Sequence, residues 1–231
     1  MSSTQNDSFV LPSWVDKVDT TVAGDPSAKD TTANVVSYMI YNGFIGPELC
    51  VSPAETNPAI QINTTFQYSN PAAAVEPAMA LWDPAFSVDF TNGKVGNFSY
   101  AHLFPFGTRK IKWSNSFSAT EPVIGNRGPR VSSVDYSSDP MRPQMVYDRN
   151  SFTMAIHGPR RSWEGHVAYN DNHVDFETTL APKASTFKKS SISFADCLFF
   201  DEPEDTDDLN TLLGIFTTAG PANIDWTHIW D

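Results

Sequence analysis

The chain has 231 residues, 40% hydrophobic and 13% aromatic, enough to bury one sizeable core and far above what a disordered chain carries. Asp and Glu number 27 against 15 Lys and Arg, and a formal net charge of −12 repels phosphate backbones and anionic membrane surfaces. No basic patch gathers for nucleic acid, and no run approaches the roughly 18 apolar residues that a membrane helix needs.

The 17 Pro, with many Asn, Asp, Ser and Thr, cut the chain into short pieces and favour strands and loops over long helices. Residues 1–32 read as a loosely ordered arm that docks through Trp14, and Met1 to Asp7 lacks the basic-then-apolar design of a signal peptide. Val35, Val36, Met39 and Ile40 recur at helical spacing within Thr31 to Asn42, and Asn42-Gly43 supplies the C-cap. Ile60 to Tyr68 alternates and reads as a strand, as does Val95 to Leu103 after the Asn92-Gly93 turn. Trp113 to Val123 and Val131 to Tyr136 read as loops with short extended pieces. Phe152 to Ile156 is a strand candidate.

The hairpin signal is clearest at His157 to Glu177. Val167 and Tyr169 alternate with polar neighbours, Asp171-Asn172 supplies a turn that tolerates positive φ, and Val174 and Phe176 resume the alternation. A two-residue loop pairs Tyr169 with Val174 and Val167 with Phe176, placing all four apolar side chains on one face. Ser191 to Phe200 reads as a further strand, and Asn210 to Phe216 as a helical turn before Gly220-Pro221. The expected fold is α+β, mainly antiparallel β-sheet with short helices, in one globular domain over 33–231.

Chemistry-bearing patterns are sparse. The acidic run from Asp201 to Asp208 reads first as a solvated loop and second as a calcium site using Asp201, Glu204, Asp205 and Asp207, without EF-hand spacing. Cys50 and Cys197 have no zinc or redox spacing around them, so a disulfide and two buried free thiols are both open readings. Three of the five histidines lie near the hairpin, but no H-E-x-x-H accompanies them. The chain has no G-x-S-x-G elbow and no Gly-rich phosphate loop, so no catalytic residue is assigned. Trp82, Trp113 and Trp163 are read as core in preference to sugar-stacking platforms. A hydrolase with dispersed carboxylates is the third-ranked reading.

Three segments carry a family resemblance. Phe44 to Pro53, FIGPELCVSP, resembles an F-x-C-P-S strand with Cys50 as its cysteine. Glu121 to Pro129, EPVIGNRGP, looks like a short strand followed by a polar loop. The third segment comprises Asn150-Ser151, His157, and Gly165-His166-Val167-Ala168-Tyr169-Asn170-Asp171-Asn172-His173-Val174, similar to N-S-x-x-H…G-x-N-V-x-Y-x-D-G-H-V. Together they resemble the globular part of planctomycete-type pseudopilin-like proteins, which carry a prepilin-type N-terminal helix and an H-x9-DG signature. His157 stands 14 positions before Asp171, Asn172 replaces the turn glycine, and the apolar N-terminal helix is absent from these residues. The resemblance implies a pilin-like domain outside the cytoplasm, at the cell surface or in the periplasm. It implies a non-enzymatic subunit of a filament or complex, tied to type II secretion or the surface, without a cofactor. Partners would be further copies or other pilin-like subunits, and membrane attachment would come only through a helix upstream. His157, Gly165, Asp171, Asn172 and His173 would be structural hairpin residues. The alternative expectation is a secreted β-rich module that binds calcium or glycan.

Overall fold

A computed structural model describes residues 8–115, 117–158, 161–202 and 210–231. Mainly antiparallel β-sheet with few short helices is what it shows, and no helix among the described residues is long and apolar enough to cross a membrane. The chain divides into two compact units, each assembled from separate segments.

The first unit comprises Met1–Pro53, Pro58–Ser99 and Ile215–Ile229. Helix α1, Pro12–Val15, is short, and helix α2 runs Thr32–Tyr41. Thr31 caps α2 by accepting the Asn34 N–H, and Gly43 follows at φ 74°, a left-handed conformation that glycine adopts without a Cβ penalty. Val35, Val36 and Ile40 are buried as the periodicity requires. Trp82 packs in the same unit, fully buried, its indole N–H donating to Asn34 Oδ1 at 3.0 Å.

Residues 8–32, the described part of the N-terminal segment, make buried contacts within this unit. Leu11, not Trp14, is its fully buried anchor, and the Lys29 ammonium pairs with buried Asp16 at 3.1 Å. Ile60 to Tyr68 is not a strand; only an isolated bridge joins Ile60 to Gly96. Asn63 Oδ1 accepts the Thr65 N–H at 2.9 Å, and this local turn bends the backbone where a ladder would have to continue.

The second unit comprises Ala54–Asn57, Tyr100–Gly214 and Trp230–Asp231. Its centre is a five-stranded antiparallel sheet formed by β1 (Tyr100–Leu103), β2 (Pro122–Asn126), β5 (Gly165–Tyr169), β6 (Val174–Glu177) and β9 (Leu213–Gly214). The spatial order is β6-β5-β2-β1-β9. Two small hairpins join β3 (Val131–Asp135) to β4 (Gln144–Tyr147) and β7 (Thr186–Lys189) to β8 (Ile192–Ala195). In the first unit, β10 (Phe216–Thr218) pairs with β11 (Thr227–His228).

Several expectations change here. The strand read from Val95 to Leu103 is confined to β1, while the extended piece at the end of Trp113 to Val123 is the start of β2, an interior strand that runs on to Asn126. Phe152–Ala155 is a 3-10 helix, because Ser151 Oγ accepts the Thr153 N–H and starts a helical turn. Ser191 lies with Ser190 in the β7–β8 turn, both at positive φ, so the strand begins at Ile192. Asn210 to Phe216 is extended, not helical, and supplies β9 and the start of β10. Trp113 and Trp163 are core, each 1% exposed, so neither offers a ring face to a sugar. Gly128 is a close-approach glycine: a Cβ there would fall 2.2 Å from the Phe199 ring.

Candidate functional site

The hairpin β5–β6 forms where the alternation places it, but in a different register. His166 pairs with Phe176, Val167 with Asp175 and Ala168 with Val174, one residue away from the two-residue-loop expectation. The Tyr169 N–H donates to His173 O at 3.0 Å and the Asn172 N–H to Tyr169 O at 2.9 Å, so Asn170, Asp171 and Asn172 form a three-residue loop. Asn172 alone of these three takes positive φ, at 70°. That is the hairpin geometry of a turn closed by one left-handed residue, and Asn is one of the few side chains that tolerates it.

A one-residue change reverses the sidedness of one strand relative to its partner. Val167 and Tyr169 are buried at 0% and 2%, whereas Val174 and Phe176 are exposed at 58% and 47%. The four do not share a core face. Phe176 instead joins His157 and His166 in a cluster with ring centroids 5.0–5.1 Å apart. Beneath it, Asn126 Oδ1 accepts the His166 N–H at 2.8 Å and faces His157 Nε2 at 3.1 Å. Gly165 leaves room for this arrangement, since a Cβ there would meet the Trp163 ring at 2.5 Å and Asn126 Cβ at 3.0 Å.

At the hairpin tip the His173 N–H donates to Asp171 Oδ1 at 3.1 Å, and His173 Nδ1 contacts the same oxygen. The backbone bond first, then the imidazole, holds the Asp171 carboxyl below the usual carboxylate range. His173 stacks on Tyr169 at 4.5 Å, and Tyr169 donates its hydroxyl to Glu177 at 2.7 Å. Burial, reinforced by Glu177, pushes the Tyr169 phenol upward.

Of the acidic run, Asp201 is an ion-pair partner of Arg109 at 2.6 Å, while Glu204, Asp205 and Asp207 lie outside the described residues. No group of three or more His, Cys, Asp and Glu among the described residues is arranged to hold a metal. Cys50 and Cys197 are free and buried, in the first and second units respectively.

Two buried charged groups in the second unit have no sequence motif. Arg127 donates from Nη2 to Glu55 Oε1 and from Nη1 to Asp231 Oδ1, both at 2.8 Å, and all three side chains are almost fully buried. Ser151 Oγ and Asn57 Nδ2 also donate to the Asp231 carboxylate, at 2.9 and 2.7 Å.

The other group joins Lys112, Glu121, Asp196 and Thr211. Lys112 Nζ lies 2.9 Å from Glu121 Oε1 and 2.9 Å from Oε2. Thr211 donates from Oγ1 to Glu121 at 3.0 Å and from its backbone N–H to Asp196 Oδ2 at 2.6 Å. Asp196 Oδ1 has no hydrogen-bond partner among the described residues. Burial pushes the Asp196 carboxyl up to about 8, against the attraction of Lys112, and burial also raises Glu121. The positions 112, 121, 196 and 211 share no spacing signal, so only folding brings them together.

Comparison with family models, curated proteins and solved structures finds no match.

Proposed function

We propose that this chain is the pilin-like globular part of a non-enzymatic pseudopilin-like subunit that works outside the cytoplasm in a filament or surface complex. The observation that supports it is the hairpin. The segment with the family-like pattern forms the β5–β6 edge of an antiparallel sheet and carries Phe176 and Val174 on its solvent side. An open sheet edge with apolar side chains beside it suits strand or face pairing with another subunit. His157, Gly165, Asp171, Asn172 and His173 act structurally in this reading. Gly165 and His157 set the packing over Asn126, and Asp171, Asn172 and His173 close the loop.

The coding DNA directly upstream of Met1 tests this. A basic leader followed by about 20 apolar codons is expected, the length of a membrane-spanning helix. An in-frame stop immediately upstream would overturn assembly through such a helix.

A further inference from the structure

We propose that Lys112 and Asp196 condense within the folded chain to an intramolecular amide, with Glu121 carrying the proton and the Thr211 N–H holding the developing oxyanion. The inference is independent of the pseudopilin-like reading.

Thr211 holds the two acids together, and Lys112 Nζ rests on Glu121 without an ion pair to Asp196, so the side chain must turn from Glu121 to reach Cγ. An amine attacks a carboxyl group only if the amine is neutral and the acid is protonated. Glu121 receives hydrogen bonds from Lys112 Nζ and is fixed by Thr211 Oγ1, so it is the base in contact with the ammonium. Asp196 is 1% exposed and favours its protonated form, pushed up to about 8 by burial. Thr211 N–H points at Asp196 Oδ2, where negative charge develops when Nζ adds to Cγ. Oδ1 is the oxygen without a partner, and it is the one left to depart. Thr211 thus binds both acids, and it fixes base and electrophile relative to each other. Holding the groups in one unit replaces an encounter between separate molecules.

The step balances without an outside reagent. Glu121 takes one proton from the Lys112 ammonium, and the freed lone pair forms the Nζ–Cγ bond. The Oδ1 hydroxyl leaves with a second proton from the nitrogen, passed through Glu121, as water. The products are one amide N–H, one water and protonated Glu121. In the structure Lys112 is directed at Glu121, the arrangement before bond formation. The surroundings are dry: Trp113, Ala195 and Cys197, next to Lys112 and Asp196 in the chain, are each at most 1% exposed. Excluding water disfavours the reverse hydrolysis.

Mass spectrometry of the intact full-length protein is the test. The expected mass is lower than that of the sequence by one water. Tryptic digestion should yield the peptide 111–127, uncut at Lys112, joined to the peptide 190–231. Glu121→Gln keeps an acceptor for Thr211 and should show the full, unshortened mass with native circular dichroism. Lys112→Arg should do likewise. A wild-type mass equal to that of the sequence overturns the proposal without recourse to any variant. A link confined within 111–127 overturns Asp196 as acceptor, and a folded Glu121→Gln that still loses water overturns the role of Glu121.

Discussion

Asn126, on β2, accepts the backbone N–H of His166, on β5, through its side-chain oxygen at 2.8 Å. The same oxygen faces His157 Nε2 at 3.1 Å, so one buried amide links the sheet interior to the ring cluster on the hairpin. Neighbouring strands usually satisfy such a donor with main chain. Here a side chain does so.

Replacing Asn126 by Ala should therefore cost about 1 kcal/mol, the net worth of a hydrogen bond whose donor lies on an exposed strand residue. Urea denaturation measures it. His157→Ala removes a half-buried ring from the same oxygen without stranding the His166 N–H, and its cost should be smaller.

The hairpin register makes a paired prediction. Tyr169→Ala should destabilise by about 3 kcal/mol, as expected for a core aromatic, while Phe176→Ala should cost well under half of that because the ring is half exposed. Equal losses in thermal melts would restore the register in which both rings face the core.

Much of this hairpin was legible beforehand, and its failure is instructive. Alternation located both strands because Val167 and Tyr169 must face the core. It could not set the register, because β6 is an edge strand whose Val174 and Phe176 are exposed and impose no burial constraint. Asn172 at φ 70° then decided between loops of two and three residues. At Phe152 to Ile156 the strand expectation gave way to the helical turn that the Ser151 cap starts. The Lys112, Glu121, Asp196 and Thr211 cluster was invisible for a different reason: contacts across many residues leave no local pattern.

Arg127 should tolerate little change. Arg127→Ala leaves the Glu55 and Asp231 carboxylates buried without their guanidinium, and a loss of about 3–5 kcal/mol is expected. Arg127→Lys keeps the charge but cannot span both acids with a planar fork, so it should recover only part of that stability. Denaturant midpoints of the three proteins check the order.

The Asp16–Lys29 pair gives a pH dependence. Burial acts to raise the Asp16 carboxyl, but hydrogen bonds from Val22, Lys29 and Thr21 outweigh it and leave the group below its usual 3.8. A depressed carboxylate contributes its stability above the unfolded value and loses it as pH falls through the folded one. Melting temperature should drop below about pH 4, and the drop should be shallower in Asp16→Asn, which is already destabilised at neutral pH. An equal acid slope in both proteins would remove Asp16 from the account.

Free, buried thiols predict slow alkylation. The Cys50 thiol is pushed up to about 12 by burial and then by Glu48, and burial raises Cys197 as well. Neither should react with a maleimide in the native protein at neutral pH, and both should react in denaturant, because thiolate is the reacting form. Neither thiol reacting after unreduced denaturation would indicate a disulfide between the two cysteines.

The pseudopilin-like reading is tested most directly by where the protein sits in the cells that make it. Immunogold labelling of intact cells with an antibody to the β5–β6 hairpin should mark the outside of the envelope, and the chain should sediment with sheared surface filaments. Labelling that appears only after lysis, spread through the cytoplasm, would contradict the account.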